Sequence, residues 1–72
     1  MNVIGPQIKR LRKQNQMTQE ELTIRCNLIG WSISRGTLAK IESQVRRVTD
    51  SEVALIAEAL QVEISELYKN FK

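Results

Sequence analysis

A short segment over residues 34–44 carries side chains that could bind the edges of DNA bases. Leu38, Ile41 and Val45 recur at positions i, i+3 and i+7, which predicts a helix with one apolar stripe. The opposite face is small, basic and free of acidic residues, and it carries Arg35, Gly36, Ala39, Lys40 and Ser43. Arginine and lysine can donate hydrogen bonds to guanine O6 and N7 in the major groove. The alternative is an ordinary solvated helix face, which is the usual role of a charged stripe.

Capping signals on both sides of Gly30 define the helices that would hold this segment. Residues 18–21 read Thr-Gln-Glu-Glu, a capping box that predicts the start of a helix. That helix has apolar side chains at i, i+4 and i+7 counted from Leu22. Gly30 suits its end, because glycine readily takes the positive φ of the residue after a helix. Ser34 then caps the helix of the basic face.

The rest of the chain predicts three further short helices. The first begins at Pro6, a residue favoured in a first helical turn, and ends near Asn15. The fourth follows a second capping box at residues 49–52 and has a regular amphipathic pattern. The fifth covers about residues 64–70. The sequence therefore predicts an all-α fold, a compact bundle of five short helices that forms a single domain over residues 1–72.

Charge is unevenly distributed along the chain, whose formal net charge is +3. Residues 1–47 carry nine basic and three acidic side chains, a net charge of +6, whereas residues 48–72 carry two basic and five acidic side chains, a net charge of −3. This division favours one face for a polyanion and another for a different partner, although chance can also divide so few charges. The single cysteine, Cys26, excludes an intramolecular disulfide, and we interpret it as a buried apolar side chain in a cytoplasmic protein.

The residue types offer no constellation for catalysis. The chain has one cysteine and no histidine, which excludes the usual zinc ligand sets. No nucleophile lies beside a base, and no glycine-rich loop could hold a phosphate. No apolar run approaches the roughly 18 residues that a membrane-spanning helix needs. We therefore expect a binding protein rather than an enzyme, with no cofactor, no metal and no membrane association.

Four segments follow one another in a characteristic order. They are residues 8–12, residues 17–22, residues 33–42, and residues 53–62 followed by Glu66-Leu67-Tyr68. Together these segments resemble the lambda-repressor/Cro-like (XRE-type) helix-turn-helix family over about residues 7–68, with the helix-turn-helix at about 18–44. The resemblance implies a sequence-specific DNA-binding transcriptional regulator of bacterial or phage type. It further implies a repressor that reads the major groove with the helix at about 34–44.

The resemblance also implies roles for individual residues. Arg35, Gly36 and Lys40 match the positions at which the family reads bases. Phosphate contacts, which orient a protein on DNA without reading its sequence, are implied for Gln19, Ser34, Thr37, Ser43, Arg46 and Arg47. Helix capping is an alternative role for Gln19 and Ser34. Arg12 and Glu42 match a pair that often forms an internal salt bridge in the family, and the alternative for them is two exposed charges of little energetic weight.

The sequence departs from the family pattern between the second and third helices. Leu22 and Glu42 lie 20 positions apart, more than the family usually shows, and the extra residues fall within 27–32. Leu28, Ile29 and Trp31 would form an added apolar patch there. Our hypothesis is that Trp31 packs on the core and holds the third helix at the angle of the family. In the alternative, the patch is exposed and binds a partner.

Association with partners follows from the same resemblance. One such domain makes few base contacts, so a homodimer on a palindromic site of double-stranded DNA is expected. The acidic C-terminal part, including Tyr68 and Phe71, is the candidate dimer surface. A protein-interaction module, such as an antitoxin or adaptor that uses the same fold, is the main alternative, and non-specific DNA binding is another. The expected location is cytoplasmic, with association to the nucleoid through DNA.

Overall fold

The computed structural model describes residues 4–68 and contains five α-helices in this range. They are α1 (Gly5–Gln14), α2 (Gln19–Leu28), α3 (Arg35–Glu42), α4 (Asp50–Leu60) and α5 (Ile64–Leu67). Residues 4–68 contain no strand, so the predicted all-α bundle of five short helices is confirmed. The fifth helix is shorter than predicted, and the predicted end at Asn70 lies outside the described residues.

Both predicted capping boxes are present. The Thr18 hydroxyl accepts a hydrogen bond from the Glu21 N–H at 3.1 Å, and the Glu21 carboxylate accepts one from the Thr18 N–H at 2.8 Å. Thr49 and Glu52 form the same reciprocal pair at the start of α4. These local bonds satisfy N–H groups that have no partner within a helix, which explains why both starts could be predicted from sequence.

The end of α2 follows the expected glycine pattern. Gly30 has φ +97°, and its N–H donates to the Asn27 carbonyl at 3.0 Å. The Trp31 N–H reaches back to the Cys26 carbonyl at 2.9 Å. This pair of bonds is a Schellman motif, in which the residue with positive φ turns the chain away from the helix axis. The connection from α2 to α3 therefore begins with a defined change of direction.

Apolar side chains from every helix form one core. α1 and α2 both pack against α3, while α4 packs against α2 and α5. The most deeply buried side chains are Ile8, Leu22, Cys26, Leu38, Ile41, Ile56 and Leu67. Each fully buried aliphatic side chain contributes about 1.5–3 kcal/mol relative to exposure. Burial also raises the pKa of the Cys26 thiol to about 11, as expected for a small apolar core residue.

One sequence interpretation of an apolar residue was wrong, and a question left open by the sequence is answered. Val45, predicted in the stripe of α3, is 75% exposed, because α3 ends at Glu42 and Gln44 takes φ +70°. Leu28, for which the sequence left burial and exposure both open, is 80% exposed at the end of α2. In both cases the residue lies at a helix end, where the helical period no longer decides which way a side chain points.

Trp31 does pack on the core, as the sequence hypothesis proposed. Its side chain is partly buried, and Ile29 and Ile33 are packed against the same cluster of buried residues. The connection of residues 29–34 thus has apolar support beneath it. None of the helices within residues 4–68 is long and apolar enough to cross a lipid bilayer.

Candidate nucleic-acid interface

The outer face of α3 has the composition that the sequence predicted. Arg35, Gly36, Lys40 and the adjoining Ser43 are exposed, whereas Leu38 and Ile41 on the opposite face are fully buried. Thr37 and Ala39 are partly buried. The helix begins at Ser34, whose hydroxyl accepts from the Thr37 N–H at 3.1 Å. Ser34 is therefore a helix cap, one of the two roles proposed for it, and its phosphate contact stays a prediction.

Two shallow hollows flank α3 and meet at the start of α2. The first is lined by Lys9, Gln19, Ala39, Lys40, Glu42 and Ser43. The second is lined by Arg12, Thr18, Gln19, Glu20 and Arg35. Gln19 belongs to both hollows, so the first turn of α2 lies between the two basic side chains of α3. The fold thereby brings Gln19, Arg35, Lys40 and Ser43 onto one surface.

The first turn of α2 is suited to binding an anion. Thr18 occupies the Glu21 N–H, which leaves the N–H groups of Gln19 and Glu20 without an acceptor inside the helix. Such groups carry a partial positive charge and favour phosphate oxygens. The side chain of Gln19 donates to Glu42 Oε1 at 3.1 Å, which fixes its direction. Gln19 is therefore tied to the core and also borders the surface of α3.

Beneath this surface, Arg12 and Glu42 form the ion pair expected from the sequence. The Arg12 Nε–Glu42 Oε2 distance is 2.8 Å, and Arg12 Nη2 donates to Glu42 Oε1 at 3.1 Å. Arg12 Nη1 donates to the Met17 carbonyl at 2.7 Å. The two side chains are 8% and 2% exposed. The bidentate pair joins α1 to the C-terminal end of α3, while the bond to Met17 secures the turn before α2.

The structure distinguishes the two arginines that follow α3. Arg46 donates to both carboxylate oxygens of Glu52, at 3.0 and 2.9 Å, and the side chain of Arg46 is 37% exposed. The hydrogen bond from Arg46 lowers the pKa of Glu52 below its ordinary value of 4.5. Arg47 is exposed beside it. Of the two predicted phosphate ligands, Arg46 is thus already engaged with an acid.

Sequence reasoning gave no role to two residues near this surface. Gly5 packs against the end of α3, where an added Cβ would collide with the Ile41 carbonyl oxygen and lie 3.0 Å from that of Glu42. Lys9, on the outer face of α1, lines the same hollow as Lys40. Neither role has a local signal, because both depend on how α1 crosses α3.

A metal site needs several ligating side chains close together. Among residues 4–68, no group of three or more histidine, cysteine, aspartate or glutamate side chains could hold a metal ion. What the described surface offers instead is a helix with two basic side chains, flanked by polar hollows. Its dimensions suit recognition of DNA, since an α-helix fits the major groove.

Comparison with known proteins agrees with this description. A family model described as Helix-turn-helix matches residues 8–67, which is most of the chain. The chain therefore belongs to the helix-turn-helix family of the XRE, lambda-repressor-like type, and the resemblance stated from the sequence is confirmed. It is a DNA-binding domain of this type. Neither a search of curated proteins nor a search of solved structures returned a significant match.

Proposed function

We propose that the protein is a sequence-specific transcriptional regulator, acting as a repressor, that reads the major groove with α3. The observation that carries this proposal is the exposed basic face of α3 between two hollows that share Gln19. In this pose Arg35 and Lys40 donate to guanine O6 and N7. The N–H groups at the start of α2 bind a phosphate and hold α3 in register.

The room around Gly36 supports a role for this residue outside the fold. A Cβ at this position would meet only the Ser34 hydroxyl oxygen, at an ordinary contact distance of 3.8 Å. The free domain therefore has no need of glycine here, in contrast to Gly5. A close approach of the α3 backbone to a base edge accounts for a residue without a side chain.

The remaining phosphate contacts are assigned to the rim of this surface. Thr37, in the first turn of α3, and Ser43, which follows its last turn, carry hydroxyl groups, and Arg47 adds an exposed charge after α3. Arg46 would bind phosphate only by sharing or leaving Glu52. These contacts position the protein, and each basic one adds to the salt dependence of binding.

A homodimer on a palindromic site completes the proposal, because a single helix contacts few base pairs. Support comes from α5, where Ile64 is 47% and Tyr68 is 46% exposed. Phe71, the other aromatic residue assigned to the dimer surface, lies outside the described residues. Sedimentation of the protein with and without a palindromic duplex tests the stoichiometry, and one chain bound per palindrome would contradict a dimer.

Selection of bound sequences from a random duplex library at physiological salt tests sequence recognition. We expect the native protein to enrich a palindrome. The double variant Arg35→Ala/Lys40→Ala should lose this enrichment, because it lacks both proposed base donors. The double variant Lys13→Ala/Arg25→Ala removes the same charge from exposed positions outside α3 and serves as the control. It should bind more weakly at most, with the same preferred sequence.

Other outcomes of the selection would overturn the proposal in defined ways. Binding without enrichment, together with steep salt dependence, would indicate a non-specific DNA-binding role. Enrichment that survives the Arg35→Ala/Lys40→Ala variant would place the reading surface elsewhere. Absence of binding would favour a protein-interaction module.

One observation favours that second candidate function, an antitoxin or adaptor. Ile24 and Leu28 are 52% and 80% exposed, and they lie one helical turn apart on α2. Leu28 borders a hollow formed with α4, which Arg25 and Glu58 also line. Exposed apolar side chains that adjoin a hollow are typical of protein contacts. Substitution of Leu28 by serine should then abolish partner binding while DNA binding is unchanged.

A further inference from the structure

The connection between α2 and α3, residues 29–34, determines where the recognition helix begins. We infer that Asn27 is the positioning residue of this connection, and that it sets base specificity by fixing the start of α3. The inference rests on the proposed function, because it assigns to Asn27 control over residues that would read DNA. Asn27 itself lies on α2 and is exposed.

The geometry of the Asn27 amide carries the inference. Its Nδ2 donates to the Trp31 carbonyl at 2.8 Å and to the Ile33 carbonyl at 3.2 Å. Both partners are carbonyl acceptors, and the amide nitrogen can donate to both because it carries two N–H groups. Ile33 directly precedes Ser34, the cap of α3. One side chain thus links the last turn of α2 to the residue before α3.

Backbone hydrogen bonds along the connection reach the Ile33 N–H, and the Asn27 amide adds a direct link from α2 to the Ile33 carbonyl. The Schellman motif fixes the connection as far as Trp31, through the bond from the Trp31 N–H to the Cys26 carbonyl. The Ile33 N–H then donates to the Trp31 carbonyl at 3.0 Å. The Asn27 amide binds that same carbonyl and also the Ile33 carbonyl, which no backbone bond within residues 4–68 ties to α2. It therefore closes a small ring of bonds over the end of α2.

No other side chain of similar size supplies these bonds. Aspartate has no donor at neutral pH and would place a negative charge against two carbonyl oxygens. Serine has a single donor, and alanine has none. Hydrogen bonds to base edges need donor–acceptor distances near 2.7–3.2 Å. A shift of α3 by a fraction of the helical rise per residue therefore weakens the contacts of Arg35 with DNA. It removes no side chain from the protein surface proposed to face DNA.

The test compares Asn27→Ala with a matched control, Asn15→Ala. Asn15 is also an exposed asparagine at a helix end, and its Nδ2 donates to the Leu11 carbonyl at 2.9 Å. It lies at the end of α1 and makes no link to α3. For each protein, the dissociation constant is measured for the selected duplex and for duplexes with single base-pair changes. The readout is the dissociation constant for a changed duplex divided by that for the selected duplex, so a higher ratio means better discrimination.

A merely structural role would leave this ratio unchanged. Loss of folded protein weakens binding to every duplex by the same factor, so it cancels in the ratio. A displaced α3 lowers the ratio, because the selected sequence loses more than its variants do. We expect Asn27→Ala to lower discrimination at the Arg35 base pair by about threefold to tenfold, within the range of one impaired base contact. Asn15→Ala should keep the ratio of the native protein.

A second measurement keeps the inference separate from the proposed function. Amide chemical shifts of the free Asn27→Ala protein should change along residues 34–42, whereas those of Asn15→Ala should change only near the end of α1. If the native protein selects no sequence but these shifts occur, positioning of α3 stands and the proposed function fails. If the native protein selects a sequence and the ratio stays constant in Asn27→Ala, the inference is overturned. Unchanged shifts along residues 34–42 also overturn it.

Discussion

The two ends of α3 are held in different ways. Its C-terminal end is buried, with Gly5 packed on the carbonyls of Ile41 and Glu42, and with Arg12 paired to the Glu42 carboxylate. Its N-terminal end is held by exposed hydrogen bonds, from the Asn27 amide and from the Ser34 cap. The same helix is therefore anchored in the core at one end and adjusted from the surface at the other.

The buried end of α3 accounts for stability, and the exposed end accounts for the direction of the helix. A buried ion pair that loses one partner leaves an uncompensated charge, which costs far more than an exposed bond that water can replace. Changes at the buried end should therefore unfold the domain. Changes at the exposed end should leave it folded and alter the direction of the helix.

Glu42→Ala should have the largest effect. The substitution leaves the Arg12 guanidinium buried without its carboxylate, and it also removes the acceptor of the Gln19 amide. We expect the free energy of unfolding to fall by about 3–5 kcal/mol. Urea denaturation followed by circular dichroism measures this loss. Glu58→Ala, at an exposed position, is the control and should change stability little. Equal small losses in both variants would contradict the contrast.

Gly5→Ala and Gly36→Ala make the same chemical change in opposite surroundings. At residue 5 the new methyl group collides with the Ile41 carbonyl oxygen, so overpacking should lower stability by about 1–3 kcal/mol. At residue 36 there is open space, and alanine favours a helix over glycine by about 0.5–1 kcal/mol. Thermal unfolding should therefore shift down for the first variant and up for the second. If the melting temperatures of both variants shift in the same direction, the packing of residue 5 against α3 does not determine the effect of the added methyl group.

Gly30→Ala tests the turn that leads toward the exposed end. Nothing lies within 4 Å of an added Cβ, so the cost comes only from φ +97° and should be about 1–2 kcal/mol. The converse substitution, Gln61→Gly, relieves φ +59° at the end of α4. This relief of about 1–2 kcal/mol exceeds the cost of a more flexible unfolded chain, so stability should rise slightly. Chemical denaturation of both variants measures whether the free energy of unfolding falls in the first and rises in the second. A neutral Gly30→Ala variant would mean that the connection can relax.

The Arg46–Glu52 pair, which is only partly buried, is the counterpart of the buried Arg12–Glu42 pair and should give the smallest effect. The pKa of Glu52 is lower in the folded state than its ordinary value of 4.5, so ionised Glu52 stabilises the fold above pH 4.5. This contribution is lost as the pH falls through the lower pKa of the folded state. Glu52→Gln should therefore lower stability slightly at pH 7 and flatten the loss of stability below pH 4.5. Melting temperatures measured from pH 7 to about pH 3 test this. If the melting temperature falls below pH 4.5 as steeply in Glu52→Gln as in the native protein, other carboxylates cause the loss of stability.

Local signals explain how much of the fold could be predicted from the sequence. The starts of α2, α3 and α4 depend on threonine and serine caps within three residues of the helix, and Gly30 marks the end of α2 in the same local way. Val45 was misplaced because periodicity carries no information about where a helix stops. The structure puts Val45 beyond the end of α3, in solvent.

The site was predictable only in part, for a related reason. The face of Arg35 and Lys40 follows from the period of a single helix, so the sequence indicates it directly. The roles of Gly5 and Asn27 depend on carbonyl groups of other segments, which a side-chain pattern does not reveal. The residues that orient α3 are therefore harder to find from sequence than the residues it presents.

The isolation of the basic side chains on α3 has an evolutionary consequence. Among residues 4–68, neither Arg35 nor Lys40 has a side-chain hydrogen bond or an ion pair, whereas Gln19 is bonded to Glu42. Under the proposed function, descendants of this chain can acquire new operators by replacing Arg35 or Lys40 at little cost to folding. Position 19 has less freedom to drift. Divergence of targets among duplicated copies should therefore begin on the outer face of α3.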